Sequence, residues 1–417
     1  MQAMQDLHAA GGPSGPVIRD PRQWFTLSGC KKVLVVVHTV VYGQRLQDVF
    51  ALLRSDLRIH VVFTIAPHAF NDGVRGYLEA LDAQVLPWGR AVAADFDLVL
   101  AAGSQGLERL HGPLVRIPHG AGHMKLSWPG DLAQRSVGGL GRDYLMWEDR
   151  VVPAAYALAH RDELAQLSRS CPEALPIARV VGDASYDRIE RSLPLRADYR
   201  RALGLRDGEQ FVLVCSTWGL GSSFNRLEAL LPRLLADLDP AAGFRTALQL
   251  HPNVFAGHGG WQVRAWLAGA GGRAVTLIDP ATDWRPLVMA ADYVIGDHGS
   301  VTLYAAMCGV PIVMARFPAP DVNPDSPGAS LAALAPALSL THPLARQLRY
   351  AADHYEAAPY RAIASRISSE PGRFNVRMRK LLYGLLGLGE PAHEPETELL
   401  ARPEPLPAAL VGGGGTW

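Results

Sequence analysis

ADYVIGDHGSVTLYAAMCGVPIV, residues 291–313, packs a strand, a polar turn, a helix and a second strand into one short run. Tyr293–Gly296 is apolar and ends in glycine. Asp297, His298, Gly299 and Ser300 form the turn, and residues 301–308 have helical spacing. Gly309 closes that helix and Pro311-Ile312-Val313 opens the next strand. A strand that enters a helix through a small polar turn points free backbone N–H groups, that of Ser300 among them, at whatever lies above. The helix dipole draws phosphate to the same spot. Such turns stand at the carboxyl edge of a parallel sheet, where open α/β proteins bind ligands. Asp297, His298, Gly299 and Ser300 are therefore candidate nucleotide-phosphate ligands.

Working outward, apolar β-runs alternate with helical patterns. In the first half, 33–37, 59–64, 84–86, 97–102 and 114–117 read as strands, with helices over 44–54, 74–81 and 161–168. The pattern restarts with 178–182 and 186–191, then a helix over 195–203 closed by Gly204. Strands follow at 211–215, 246–250 and 275–278, with helices at 226–237 and 262–268. Apolar strands separated by helices predict parallel sheets covered on both faces. The fold class is α/β, with two Rossmann-like domains, 23–180 and 181–343, whose sheets face a cleft. Residues 344–390 read as helices packing back on the first domain. The Ala/Gly/Pro-rich start, 1–22, and the Pro/Glu- then Gly-rich tail, 391–417, read as disordered.

Composition narrows the class. The chain has 417 residues, is 48% hydrophobic and 19% charged, and carries 40 Lys plus Arg against 40 Asp plus Glu. That balance gives no global field toward nucleic acid. Cys30, Cys171, Cys215 and Cys308 are far apart and form no CxxC, which suits a reducing cytoplasm. The start has neither the basic residues nor the apolar core of a secretory signal, and no apolar run reaches the length of a membrane span. A cytoplasmic location is expected, with peripheral membrane contact left open.

Further polar turns follow strands. Ser216-Thr217-Trp218-Gly219 succeeds the strand at 211–215; Gly219 and Gly221 give half of a dinucleotide fingerprint, but Phe224 stands where its third glycine belongs. A nicotinamide enzyme is therefore not expected, and Ser216 and Thr217 are weighed as ligands against a plain tight turn. His251-Pro252-Asn253 ends another strand, and the imidazole can donate to a phosphate oxygen. In the first half, Pro118-His119-Gly120-Ala121-Gly122-His123-Met124-Lys125 places two histidines and a lysine among glycines. His119 is a candidate general base and Lys125 a candidate phosphate partner. His123 stands four residues from His119, but no third ligand has metal-site spacing, so no metal is expected. His38 and His68 are further candidate cleft residues. Ala102-Gly103-Ser104-Gln105-Gly106 is a poor nucleophile elbow, because barely one helical turn follows before Gly112-Pro113.

Together, His119-Gly120 with Lys125, Val181–Asp187, Ser216-Thr217-Trp218, His251-Pro252 and Asp297–Ser300 up to Pro311-Ile312 resemble motifs of the CDP-glycerol glycerophosphotransferase family. More loosely, the chain is similar to the non-hydrolysing UDP-N-acetylglucosamine 2-epimerases. The resemblance, over about half of the chain, implies a GT-B fold with nucleotide bound mainly to the second domain. It also implies a proposed base at His119, with pyrophosphate held by His251 and Ser300. The expected activity is metal-independent transfer of a glycosyl or glycerophosphate-type group from a nucleotide-activated donor to a hydroxyl acceptor, with no cofactor. The expected partners are that donor and a small-molecule or glycan acceptor. The neutral charge favours a small molecule over an anionic polymer. Alternatives are an epimerase or hydrolase of a nucleotide sugar, or a non-catalytic nucleotide-binding protein.

Overall fold

The computed structural model describes residues 29–127, 136–269 and 275–407. The segment 1–22 and residues 408–417 of the expected tail lie outside the described residues. The first sheet has seven parallel strands: β1 (Lys31–Val37), β2 (Ile59–Ile65), β3 (Val85–Leu86), β4 (Leu98–Ala101), β5 (Leu114–Arg116), β6 (Ala155–Leu158) and β7 (Ala178–Val180). Its spatial order is β7-β6-β5-β4-β1-β2-β3. The second sheet has five: β8 (Gln210–Ser216), β9 (Phe244–Leu250), β10 (Val275–Leu277), β11 (Tyr293–Gly296) and β12 (Ile312–Met314), in the order β10-β9-β8-β11-β12.

The apolar runs take the central places. Val33, Leu34, Val35, Val36 and Val37 are fully buried, because β1 pairs with β2 from Lys31 opposite Ile59 and with β4 from Val33 opposite Leu98. Phe211 to Val214 are likewise buried in β8, between β9 and β11. β-Branched and aromatic side chains fit such two-sided burial. In both sheets the first and fourth strands of the domain are neighbours. The crossovers on either side run in opposite directions and leave a crevice at the carboxyl ends.

Several expectations shift. The first helix begins at Val40, earlier than 44, because the Thr39 hydroxyl accepts from the Tyr42 N–H and caps it. The helix expected over 301–308 is Ser300–Ala305, unwinding through turns to Gly309 at φ 71°. Of the helices in 344–390, only Phe374–Leu386 packs on the first domain, through Phe374, Met378, Leu382, Tyr383 and Leu386. Leu344–Asp353 and Ala357–Ala364 pack on the second, because their apolar faces meet its two covering layers. Among the described residues no helix is long and apolar enough to cross a membrane.

The tail also differs from its reading as disorder. Residues 391–407 form neither helix nor strand, but they lie as a strap on the second domain. The Leu400 N–H donates to Ser192 Oγ at 3.0 Å, the Tyr199 hydroxyl donates to the Leu400 carbonyl at 2.6 Å, and the Leu406 N–H donates to the Leu203 carbonyl at 3.1 Å. Leu400 and Leu406 are buried beside Tyr199 and Leu203. Proline and glutamate prevent regular structure here, while two spaced leucines still anchor the strap. Leu400→Ala is expected to cost about 2–5 kcal/mol. A urea titration should show this as a lower midpoint with an unchanged slope.

Candidate functional site

The crevices of the two sheets face each other across a cleft of about 530 Å³. From the first domain it is lined by the helix after β1, with Tyr42 and Arg45, and by the loop after β5, from Pro118 to Lys125. From the second domain come the loops after β8, β9 and β11, carrying Ser216 to Trp218, His251 and Asp297 to Ser300. The halves approach closely. A methyl group placed on Gly120 would lie 3.4 Å from Ser300 Oγ. The β5 loop is clamped to the second domain: the Asn323 N–H donates to the Met124 carbonyl at 2.7 Å, and Lys125 forms an antiparallel bridge with Val322.

His119, Lys125, His123, Ser216, Thr217, His251, Asp297, His298, Gly299 and Ser300 all line this cleft; His38 and His68 do not. His38 is buried behind Tyr42, its Nε2 at 2.8 Å from the Gln105 carbonyl. A carbonyl only accepts, so Nε2 carries the proton. Burial lowers the pKa of His38 to about 4. His68 Nδ1 accepts from the Phe70 N–H at 3.0 Å and holds its own turn.

Asp297 was expected to face phosphate, but it is a fastener. Its carboxylate accepts from the backbone N–H groups of Thr217 (2.9 Å), Ser223 (2.8 Å) and Gly299 (3.0 Å), and from Ser216 Oγ (3.3 Å). It thereby ties the β8 loop to the β11 turn. Burial pushes its pKa up, against those donors. Ser216 is part of the same knot, since its Oγ accepts from the Phe224 N–H at 2.8 Å. With the Thr217 and Gly299 N–H groups held by Asp297, the surfaces left for a ligand are the Thr217 and Ser300 hydroxyls and the first N–H groups of Ser300–Ala305. That helix has only 6 residues, so its dipole supplies the lower end of about 0.3–1 kcal/mol.

His251 caps the helix that follows it, its Nδ1 accepting from the Asn253 N–H at 3.1 Å. The proton therefore sits on Nε2, as a neutral donor. Burial, then Lys125 and His119, lower its pKa to about 3. His298 is buried with Nδ1 unpartnered among the described residues; burial, Lys125 and Arg316 lower its pKa to about 3 as well. Lys125 Nζ lies 4.8 Å over the Trp218 ring. Burial lowers the Lys125 pKa and Asp297 opposes that.

His119 lines the first-domain wall of the cleft, its ring 4.9 Å from that of Tyr42. Enclosure by the walls, then His123 and Lys125, lower its pKa to about 3. His119 is nonetheless an exposed residue, which moderates the drop, and the imidazole is neutral at pH 7. His123 supports the loop: Nδ1 donates to the Gly138 carbonyl at 3.0 Å, Nε2 lies 3.8 Å from Glu163, and its backbone is left-handed at φ 41°.

Sequence reasoning missed the ionic seam in the wall of the cleft. Arg45 pairs with Asp183, which also accepts from the Tyr304 hydroxyl at 2.9 Å. Asp48 pairs with Arg188 at 2.7 Å and with Arg285 at 2.9 Å. These partners come from both domains and the segment between them. No local pattern marks pairs so far apart in sequence. Among the described residues, no group of three or more His, Cys, Asp or Glu is arranged to hold a metal ion.

No family model and no curated protein matches the chain. Among solved structures, the wall teichoic acid polymerase TagF is similar at 12% identity, covering 86% of this chain and 89% of that one, with a TM-score of 0.53. The UDP-GlcNAc 2-epimerase from Methanocaldococcus jannaschii is similar at 12% identity, covering 85% and 99%, with a TM-score of 0.52. At such identities the likeness is one of fold: two Rossmann-like domains about a cleft, the GT-B arrangement.

Proposed function

We propose that this chain is a transferase that takes a glycosyl or glycerophosphate-type group from a nucleotide-activated donor and gives it to a hydroxyl acceptor. The observation that carries this reading is the meeting of Gly120 and Ser300 across the cleft. It brings a neutral imidazole on one wall to a turn of free N–H groups on the other. In this reading the donor's phosphates lie against Ser300, Thr217, the His251 Nε2–H and Lys125. His119 takes the acceptor's proton as its oxygen attacks. The same donors stabilise charge developing on the leaving phosphate. TagF was solved with CDPG and the archaeal neighbour acts on UDP-GlcNAc, which supports a nucleotide-linked donor.

An epimerase reading needs free carboxylates around the sugar. Asp48 and Asp283 are engaged by arginines, and Asp297 by backbone donors. Asp143 is the exposed carboxylate of the lining among the described residues. The transferase reading is therefore preferred.

A thermal-shift screen of CMP, CDP, UDP and GDP tests the donor site. A nucleotide at about a hundred times its Kd adds about 2.7 kcal/mol, several degrees in Tm. A flat response to all four would remove the nucleotide reading. A shift without donor consumption in the presence of hydroxyl compounds would leave a binding protein.

A further inference from the structure

Resting on the transferase reading, we propose that Phe70 is a positioning residue that acts through Trp218 on Lys125. Phe70 does not line the cleft. It braces Trp218 at the cleft rim, and Trp218 holds the Lys125 ammonium ready for the donor's phosphates. Phe70 lies in the loop after β2, between Pro67 and the left-handed Gly73 at φ 84°. Its N–H donates to His68 Nδ1 at 3.0 Å, which fixes the turn. From there the ring reaches the second domain. Its centroid is 5.1 Å from that of Trp218, with the planes at 57°. Its Cε1 lies 3.5 Å from where a methyl group on Gly257 would sit. Gly257 belongs to the helix Pro252–His258 after β9, so its missing side chain leaves the ring a seat. One first-domain ring thus meets both the loop after β8 and the helix after β9.

Trp218 needs such a brace. Asp297 pins the β8 loop at the Thr217 and Ser223 N–H groups, at 2.9 and 2.8 Å. The Ser222 hydroxyl stiffens the middle, donating to the Gly219 carbonyl at 2.7 Å. The backbone is therefore set, but the indole is 36% exposed and its orientation rests on its ring neighbours. These are Phe70, His251 at 6.3 Å, and Lys125 Nζ at 4.8 Å over the face. Tilted ring pairs at this range are favoured by the negative face and positive edge of each ring. Lys125 depends on the indole in turn. Burial disfavours its charge, and the nearby Asp297 is occupied by backbone donors. Lys125 forms no ion pair among the described residues. The indole face attracts the ammonium without neutralising it. A carboxylate in that place would have to be displaced by an arriving phosphate, whereas a ring yields the ammonium to the stronger charge-assisted bond.

The chain's lysines are Lys31, Lys32, Lys125 and Lys380, few enough for NMR of the full chain grown with 13C-lysine. Each gives its own Cε signal, and Lys125→Arg assigns that of Lys125. Held over the indole face, the Lys125 Hε protons should resonate upfield of the others. Phe70→Leu keeps an apolar side chain but removes the ring, and should move that signal toward the rest. Phe70→Tyr should leave it in place. The same variants are titrated calorimetrically with CDP and UDP. Phe70→Leu should weaken the nucleotide that binds by about two- to tenfold, the range of one aromatic pair, and Phe70→Tyr should not. Because Phe70 acts through Trp218, Phe70→Leu should add nothing in a Trp218→Leu background. Gly257→Leu puts a branch where the Phe70 ring lies, and as an independent variant should act like Phe70→Leu. A Lys125 signal unmoved by Phe70→Leu, or nucleotide losses that add in the double variant, overturns the proposal. The two readings fail separately. Nucleotide binding with an unmoved Lys125 signal sinks the positioning role alone. A Lys125 signal that follows Phe70, with no response to CDP or UDP, keeps the brace and removes the donor.

Discussion

His119→Ala is expected to lower kcat by about a hundred- to ten-thousand-fold with the donor found by nucleotide screening. The nucleotide-induced rise in Tm should be unchanged. The reason is a division of labour. His119 stands on the first-domain wall beside Tyr42, whereas His251, Thr217 and Ser300 stand on the second. Loss of a base slows proton transfer and leaves phosphate contacts alone. The pH profile carries the sign. A base works when deprotonated, and enclosure, His123 and Lys125 lower the His119 pKa to about 3. The acid limb of kcat/KM, which reports the free enzyme, should therefore lie well below pH 6.5, with a plateau from pH 8 to about 5. Bound phosphate offsets Lys125 and raises the pKa, so the acid limb of kcat should lie higher. A kcat/KM limb at pH 6.5 or above, or full turnover in His119→Ala, would remove His119 as the base.

How much of this was legible depends on range. The runs at 33–37 and 211–215 announce central parallel strands, because two-sided burial leaves no alternation. The turn at 297–300, the His251 loop and the Pro118–Lys125 loop read as strand-end ligand loops, and all three line one cleft. Ala155–Leu158 was missed as a strand, since four residues rich in alanine fit a helix equally well and only pairing with β5 and β7 decides. Asp297 was legible as a turn residue, but not as the fastener of a second loop 80 residues away in sequence. His38 and His68 follow strand ends in the same way as His119, yet His38 is held by the Gln105 carbonyl and His68 by the Phe70 N–H, and neither lines the cleft. Spacing gives position along the chain. Which neighbour stands between a side chain and the ligand is a matter of tertiary packing.

Arg45→Ala is the change expected to cost most in stability, about 3–5 kcal/mol. The Arg45 side chain is 11% exposed and the Asp183 side chain 0%, so water cannot replace the guanidinium. Asp183 would keep the Tyr304 hydroxyl and the Tyr186 N–H, both neutral donors. An exposed pair would be worth only about 0–1 kcal/mol, so a urea titration distinguishes the cases. Removing the orphaned charge should restore part of the loss, making Arg45→Ala with Asp183→Asn milder than the sum of the two singles. The Asp48 pair gives the seam a pH dependence. Burial opposes ionisation, yet Arg285 and Arg188 hold the Asp48 carboxyl below its usual range. A lowered carboxylate pKa stabilises the fold above about pH 4, and that contribution fades as pH falls through the folded-state value. Function is linked to the same seam. Arg45 Nε donates to the Pro118 carbonyl at 3.3 Å, one residue before His119. Arg45→Ala should therefore depress kcat as well as stability, whereas Leu400→Ala on the distant strap should lower stability alone. An Arg45→Ala protein as stable as the parent would mean that the two domains are held by packing and not by this ion pair.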